Sequence, residues 1–232
     1  MVSELATKSK HKTKMYNNRS KKITKVTIHH MAGYMSAEAC AKMWVDSKRA
    51  VSANYIIGRD GEIISFLDED KRSWASSSRD NDQQAITIEV SNDCYKHPWT
   101  ISDKVLESLV KLCADICTRY QITPNYTGDK EGSFTFHRMF TQTECPGFYI
   151  ASNINNIIDR IKKQMQGDTS CTFKKYKVTA SALNVRSGAS TKYPKIATLK
   201  KDTLIEVCNT CGTWAEVVEP AGWVSMKYIK EV

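Results

Sequence analysis

The spacing of apolar and polar positions divides the chain into two regions. From residue 23 to about 165 the hydrophobic period switches between two and roughly 3.6, the mark of a mixed α/β domain. "TKVTIHH" (24–30) and "AITIEVS" (85–91) read as strands, and "GSFTFH" (132–137) as a shorter one. "SANYIIG" and "EIISFL" flank "RDG" (59–61) and read as a hairpin. "SAEACAKMWVDSKR" (36–49) predicts a helix with Ser36 as its N-cap. In "SDKVLESLVKLCADICTRY" (102–120) the apolar residues, Cys113 and Cys117 among them, recur at three and four, so these cysteines are expected in a core. Residues 148–165 predict a last amphipathic helix. Beyond the polar stretch "MQGDTS" (165–170) the chain alternates strictly, with turn residues every eight to twelve positions, as in a small all-β barrel. The expected organisation is a basic arm over 1–22, an α/β domain over 23–165, a linker over 166–173 and the barrel over 174–232.

Strand parity separates the adjacent histidines of "VTIHHMAG". Side chains alternate faces along a strand. Val26, Ile28 and His30 therefore share one face, and Thr27 and His29 the other. The same rule sets Thr87 and Glu89 opposite Ile86 and Ile88, and Thr135 and His137 opposite Phe134 and Phe136. If the three strands are neighbours, His29, Glu89 and His137 converge on one polar face, and His30 points into apolar company. Cys145 follows His137 by eight residues, within "TECPGF", and a short loop can return it to the same place. Two histidines and a cysteine with an open fourth position suit a catalytic zinc ion.

Composition narrows the classes. No run of about 20 apolar residues exists, which excludes a membrane-spanning helix. The first 22 residues lack the apolar core of a secretory signal, so synthesis and retention in the cytoplasm until release by another agent is the expectation. The net charge of +9 sits on the flanks: 7 Lys and Arg against one acid in 1–22, and 10 against 5 in 172–232, while 23–171 has 17 against 19. Basic flanks suit a polyanion, and the acidic centre without an interleaved basic and aromatic face argues against nucleic acid. Cys208 and Cys211 form a lone CxxC without a second pair, a weak metal signal. Trp44, Trp74 and Trp99 receive no assignment.

Together "VTIHHMAG", "SANYIIGRDGEII", "AITIEVSND" and "FHRMFTQTECPGF" resemble the type 2 N-acetylmuramoyl-L-alanine amidases, the fold shared by phage lysozyme-like amidases and peptidoglycan recognition proteins. The resemblance covers about residues 23–165 and implies zinc held by His29, His137 and Cys145, with cleavage of the amide between the muramic acid lactyl group and L-alanine. Ala53 stands where many relatives have tyrosine, which shifts proton transfer to Glu89. Thr143 stands where some relatives have lysine, and is a candidate donor to the developing oxyanion. "LNVRSGAS" and "GWVSMKYI" resemble the bacterial SH3-type domains of wall hydrolases, which implies binding to peptidoglycan or associated wall polymers. The expected whole is an endolysin-like enzyme, α/β followed by an SH3-like barrel. Its rivals are a non-catalytic recognition protein and an autolytic or wall-recycling amidase.

Overall fold

The computed structural model describes residues 2–167, 174–211 and 213–232, and the chain divides into two compact units, Met1–Gly167 and Asp168–Val232. The side chains of Cys208 and Cys211 and most of the expected linker lie outside the described residues.

The first unit is built on β1 (Thr7–Lys8), β3 (Lys25–His30), β4 (Tyr55–Ile57), β5 (Ile63–Ser65), β7 (Ala85–Val90) and β8 (Phe134–Phe136). They form one mixed sheet in the order β1-β5-β4-β7-β3-β8. The strands β4, β7, β3 and β8 run parallel, and β4 and β5 form the expected antiparallel hairpin. A second ribbon pairs β2 (Tyr16–Asn18) with β6 (Lys71–Ser73). The helices are α1 (Ala37–Asp46), α2 (Arg79–Gln84), α3 (Asp103–Tyr120) and α4 (Phe148–Met165). Ser36, Ser78 and Ser102 each accept a main-chain N–H in the first turn of the helix they precede, which satisfies a donor that would otherwise be orphaned.

The two sheet faces carry different chemistry because the strands alternate. Val26, Ile28, Ile86, Ile88, Phe134 and Phe136 are fully buried and pack with α3 and α4 in the main core. Cys113 and Cys117 lie in that core as expected. On the other face Thr27, Thr87 and Thr135 are also fully buried, but as a bonded polar layer. Thr27 Oγ1 and Thr135 Oγ1 are 2.8 Å apart, Asn81 Nδ2 donates to Thr27 Oγ1 at 2.9 Å, and Ser73 Oγ lies 2.7 Å from Thr87 Oγ1. A buried hydroxyl left unpaired costs about 1–3 kcal/mol, so each link in this layer fixes its neighbours. Farther along this face α1 covers the sheet through Ala37, Cys40, Ala41 and Trp44.

Residues 2–22 do not form a loose basic arm. β1 extends the sheet beside β5, and the main-chain N–H of Ser3 donates to Tyr55 Oη at 2.8 Å. Arg19 is the decisive anchor. Its Nε donates to Glu69 O, Nη1 to Asp82 O and Gln83 O, and Nη2 to Lys71 O and Ala85 O. All five donors of the guanidinium fork meet main-chain carbonyls, a use of positive charge that composition cannot reveal. Lys21 adds an ion pair with Asp80.

The second unit is an antiparallel seven-stranded sheet. Its strands are β9 (Lys174–Val178), β10 (Ala182–Arg186), β11 (Lys195–Lys200), β12 (Leu204–Cys211), β13 (Trp214–Val217), β14 (Gly222–Ser225) and β15 (Ile229–Glu231). The order is β11-β10-β14-β13-β12-β9-β15. Alternate residues, among them Tyr176, Val178, Leu183, Val185, Val217 and Val224, fill a core of its own.

Candidate metal centre

The register places the site. In the β3–β7 pair His29 stands directly opposite Glu89, one step beyond the Thr27–Thr87 pair. On the other side Thr27 stands opposite Thr135 in β8. The three strands are adjacent, so their polar faces join at the carboxyl ends of parallel strands, where ligands of open α/β sheets bind. β8 ends one residue earlier than the alternation predicts: His137 opens a single 3-10 turn, closed by the bond from Phe140 N to His137 O. That turn keeps the imidazole beside His29, with ring centroids 5.0 Å apart. The main-chain N–H of Arg138 donates to Cys145 O at 3.3 Å, which ties the returning loop to the turn.

Cys145 arrives through a tight connection. Its own N–H donates to Thr143 Oγ1 at 3.2 Å. Two residues on, Gly147 adopts φ +85°, and a Cβ there would lie 2.7 Å from Trp99 Cβ and 3.1 Å from His30 Nδ1. Only glycine lets the chain pass between those rings into α4. The result is a compact donor set: one ligand atom each from His29, His137 and Cys145, all within 4.8 Å of one another. Cys145 Sγ lies 3.5 Å from His29 Nδ1.

These donors fit zinc. A tetrahedral ion with bonds of about 2.0–2.3 Å needs ligand atoms roughly 3.3–3.8 Å apart; the Cys145–His29 separation of 3.5 Å lies in that range, and all three donors lie within 4.8 Å. The set is two imidazoles and a thiol, the softer donors that zinc favours over calcium or magnesium. Burial lowers the His29 pKa to about 3, with His137 and His30 adding to the shift, so the imidazole is neutral and its lone pair free to ligate. Burial likewise lowers His137, against the opposing pull of Asp82. Burial pushes the Cys145 thiol up, opposed by the His30 main-chain N–H that faces the sulfur. A cation at this point would reverse that shift. Ser77 Oγ lies 3.2 Å from His137 Nε2, a contact that orients the ring.

Glu89 is partly exposed at this cluster, and burial still raises its carboxyl pKa to about 8, with Arg49 pulling the other way. His30 occupies the opposite face. It is 8% exposed, packs edge-on against Trp99 with centroids 5.2 Å apart, and is lowered by burial to about 4.

Residues 19–148 match the family described as N-acetylmuramoyl-L-alanine amidase, Amidase_2, over more than half of the 232-residue chain. The chain belongs to that amidase family. Residues 181–230 match the family described as bacterial SH3 domain. Bacterial peptidoglycan is accordingly the substrate and partner. No curated protein matches the chain. Among solved structures, PlyL aligns at TM-score 0.52 and 15% identity over 67% of this chain and 96% of its own. The catalytic domain of XlyA aligns at 0.52 and 16%, covering 66% and 97%. A mutant endolysin from Bacillus subtilis aligns at 0.54 and 16%, covering 69% and 99%. At these identities the three structures establish a common fold.

The amidase unit brings together His29, His137, Cys145 and, in register, Glu89. Thr143 is exposed, with its hydroxyl oxygen accepting from Cys145 N–H, so its first contact is with the loop that carries Cys145. Ala53 is fully buried beside Ile56, and no tyrosine occupies that place. Trp44 packs against Phe66 and Trp99 against His30, both as packing residues. The residue that sequence reasoning missed is Ser77. It stands in a serine run before a six-residue helix without apolar periodicity, and nothing in the pattern marks it.

Proposed function

We propose that this amidase is zinc-dependent and cuts the amide between the lactyl group of N-acetylmuramic acid and L-alanine, as an endolysin that reaches the wall after release from the host cytoplasm. The observation that carries the reading is the convergence of His29, His137 and Cys145 beside Glu89 on one polar sheet face. His29, His137 and Cys145 would hold the ion. Zinc there supplies Lewis-acid polarisation of the scissile carbonyl and lowers the pKa of water towards ~7.

The chain's own residues do the rest. Glu89 accepts the proton of the attacking water at a carboxylate oxygen and returns it to the alanine nitrogen as the C–N bond breaks. Its upward-shifted pKa suits both halves of that transfer near neutral pH, and a nearby cation draws it towards the ionised form. Ser77 holds the His137 ring in place. The Thr143 hydroxyl accepts from Cys145 N–H and keeps its own hydrogen for the oxyanion. The complete donor set favours catalysis over mere recognition, and the bacterial SH3 match supports a tethered enzyme acting on intact wall rather than on soluble fragments.

The test is mass analysis of purified peptidoglycan after digestion. New free lactyl carboxyl ends and L-alanine amino ends in equal number are expected. New reducing sugars or cut cross-links without them would sink the assignment.

A further inference from the structure

His137 also lines a groove of about 300 Å³ whose other walls include Val51, Arg72, Trp74, Arg79 and Asp82. The volume is at the small end for ligand pockets, suited to one or two peptide residues rather than a saccharide. Two guanidiniums face one carboxylate among these walls. Arg72 is 9% exposed, yet its Nε has no hydrogen-bond partner among the described residues. The same guanidinium lies over the Trp74 ring and donates through Nη2 to Asn17 Oδ1, which holds it in place. Arg79 is exposed and makes no salt bridge or side-chain hydrogen bond among the described residues. Burial lowers the Arg72 pKa; Asp82 opposes that and Arg79 reinforces it, so the two guanidiniums feel each other. Asp82 is one carboxylate against these two guanidiniums and forms a salt bridge with neither among the described residues; it accepts instead from Ser76 Oγ at 2.6 Å and from the Ala75 and Ser76 N–H groups. Arg49 adds positive charge beside Glu89.

A buried guanidinium with a donor to spare, next to a second free one, fits a planar carboxylate in the groove. His137 joins this groove to the metal cluster. One extended residue spans about 3.3–3.6 Å, so the residue next to the scissile amide is the first that can step from the cluster into this adjoining groove. We propose that Arg72 and Arg79 form a subsite for a free carboxylate on the stem-peptide residue that follows alanine, making the enzyme selective for stems in which that carboxylate is not amidated. This rests on the amidase reading above.

The test uses the full-length zinc-loaded protein and two soluble disaccharide tetrapeptides. They differ only at the second stem residue, isoglutamate in one and isoglutamine in the other. The parent is expected to favour the carboxylate form by about tenfold or more in kcat/KM, chiefly through KM, as one charge-assisted bond would give. Arg79→Gln, at an exposed position, should bring that ratio towards one. Arg72→Lys keeps the charge but loses the fork, and should also lower the ratio. A parental ratio near one, or a ratio unmoved by both changes, overturns the subsite while leaving the amidase reading intact. Failure to cut either peptide overturns both. An effect of Arg79→Gln confined to walls bearing phosphate polymers would assign the groove to phosphate and overturn the carboxylate.

Discussion

His29 and His30 are adjacent in the chain and opposite in surroundings. His29 faces Cys145 and His137, while His30 faces Trp99 and the Gly147 backbone. His29→Ala should therefore abolish activity and remove most bound zinc. His30→Ala should leave zinc in place and cost about 1–3 kcal/mol, since it opens a void against Trp99. Metal analysis and denaturant unfolding of the two proteins decide, and the reverse pattern of zinc loss would sink the ligand assignment. Glu89 permits a finer cut. Glu89→Gln preserves shape but cannot take a proton, so turnover should fall about 10²–10⁴-fold at near-parental zinc occupancy. If added zinc restores the rate, Glu89 supports the metal and does not shuttle the proton.

At the scale of elements, β3, β7 and β8 carry the site because each alternates apolar residues with threonine and then an ionisable group. That alternation is legible in the amino-acid sequence, as are the hairpin, α1, α3 and α4, because each rests on a period or a cap within its own segment. The adjacency of the three strands is not legible there, and the sheet order supplies it. What stays hidden from the sequence rests on contacts distant along the chain. Arg19 reads as one more positive charge in a basic tail, yet its partners are carbonyls 50 to 66 residues away. Arg19→Ala should cost about 2–4 kcal/mol in unfolding free energy, because it leaves buried carbonyls short of a donor. A loss under about 0.5 kcal/mol would restore the picture of a loose arm. Glu69 is hidden in the same way. Its buried carboxyl accepts from Arg119, Tyr55 and Tyr120, and although burial alone would raise its pKa, these bonds bring it below the ordinary value near 4.5. A group with a depressed folded pKa contributes stability above its unfolded pKa and loses it as pH falls through the folded one. Unfolding free energy should thus decline below about pH 4.5, and Glu69→Gln should flatten that decline. An acid limb equally steep in the variant would show that other carboxylates govern it.

At the scale of the whole molecule, the chain forms two units, each with a core of its own. Every residue assigned to chemistry lies before Gly167, and the amidase match ends at residue 148. The second unit brings a bacterial SH3 match, and residues 172–232 carry 10 Lys and Arg against 5 acids. Anionic wall polymers attract such a surface, and raising salt from 0.1 M to 1 M shortens the screening length from about 10 Å to 3 Å. Residues 1–167 alone should then cut soluble muramoyl peptides at close to the full-length rate, because both the metal cluster and the Arg19 anchor remain. On intact walls the same fragment should fall behind, since it loses the local concentration that a tether gives. Residues 168–232 alone should sediment with walls at low salt and be released as salt rises. Salt-insensitive sedimentation would move the attraction from charge to specific contacts. Equal activity of the fragment and the full chain on intact walls would remove the tethering role from the second unit altogether.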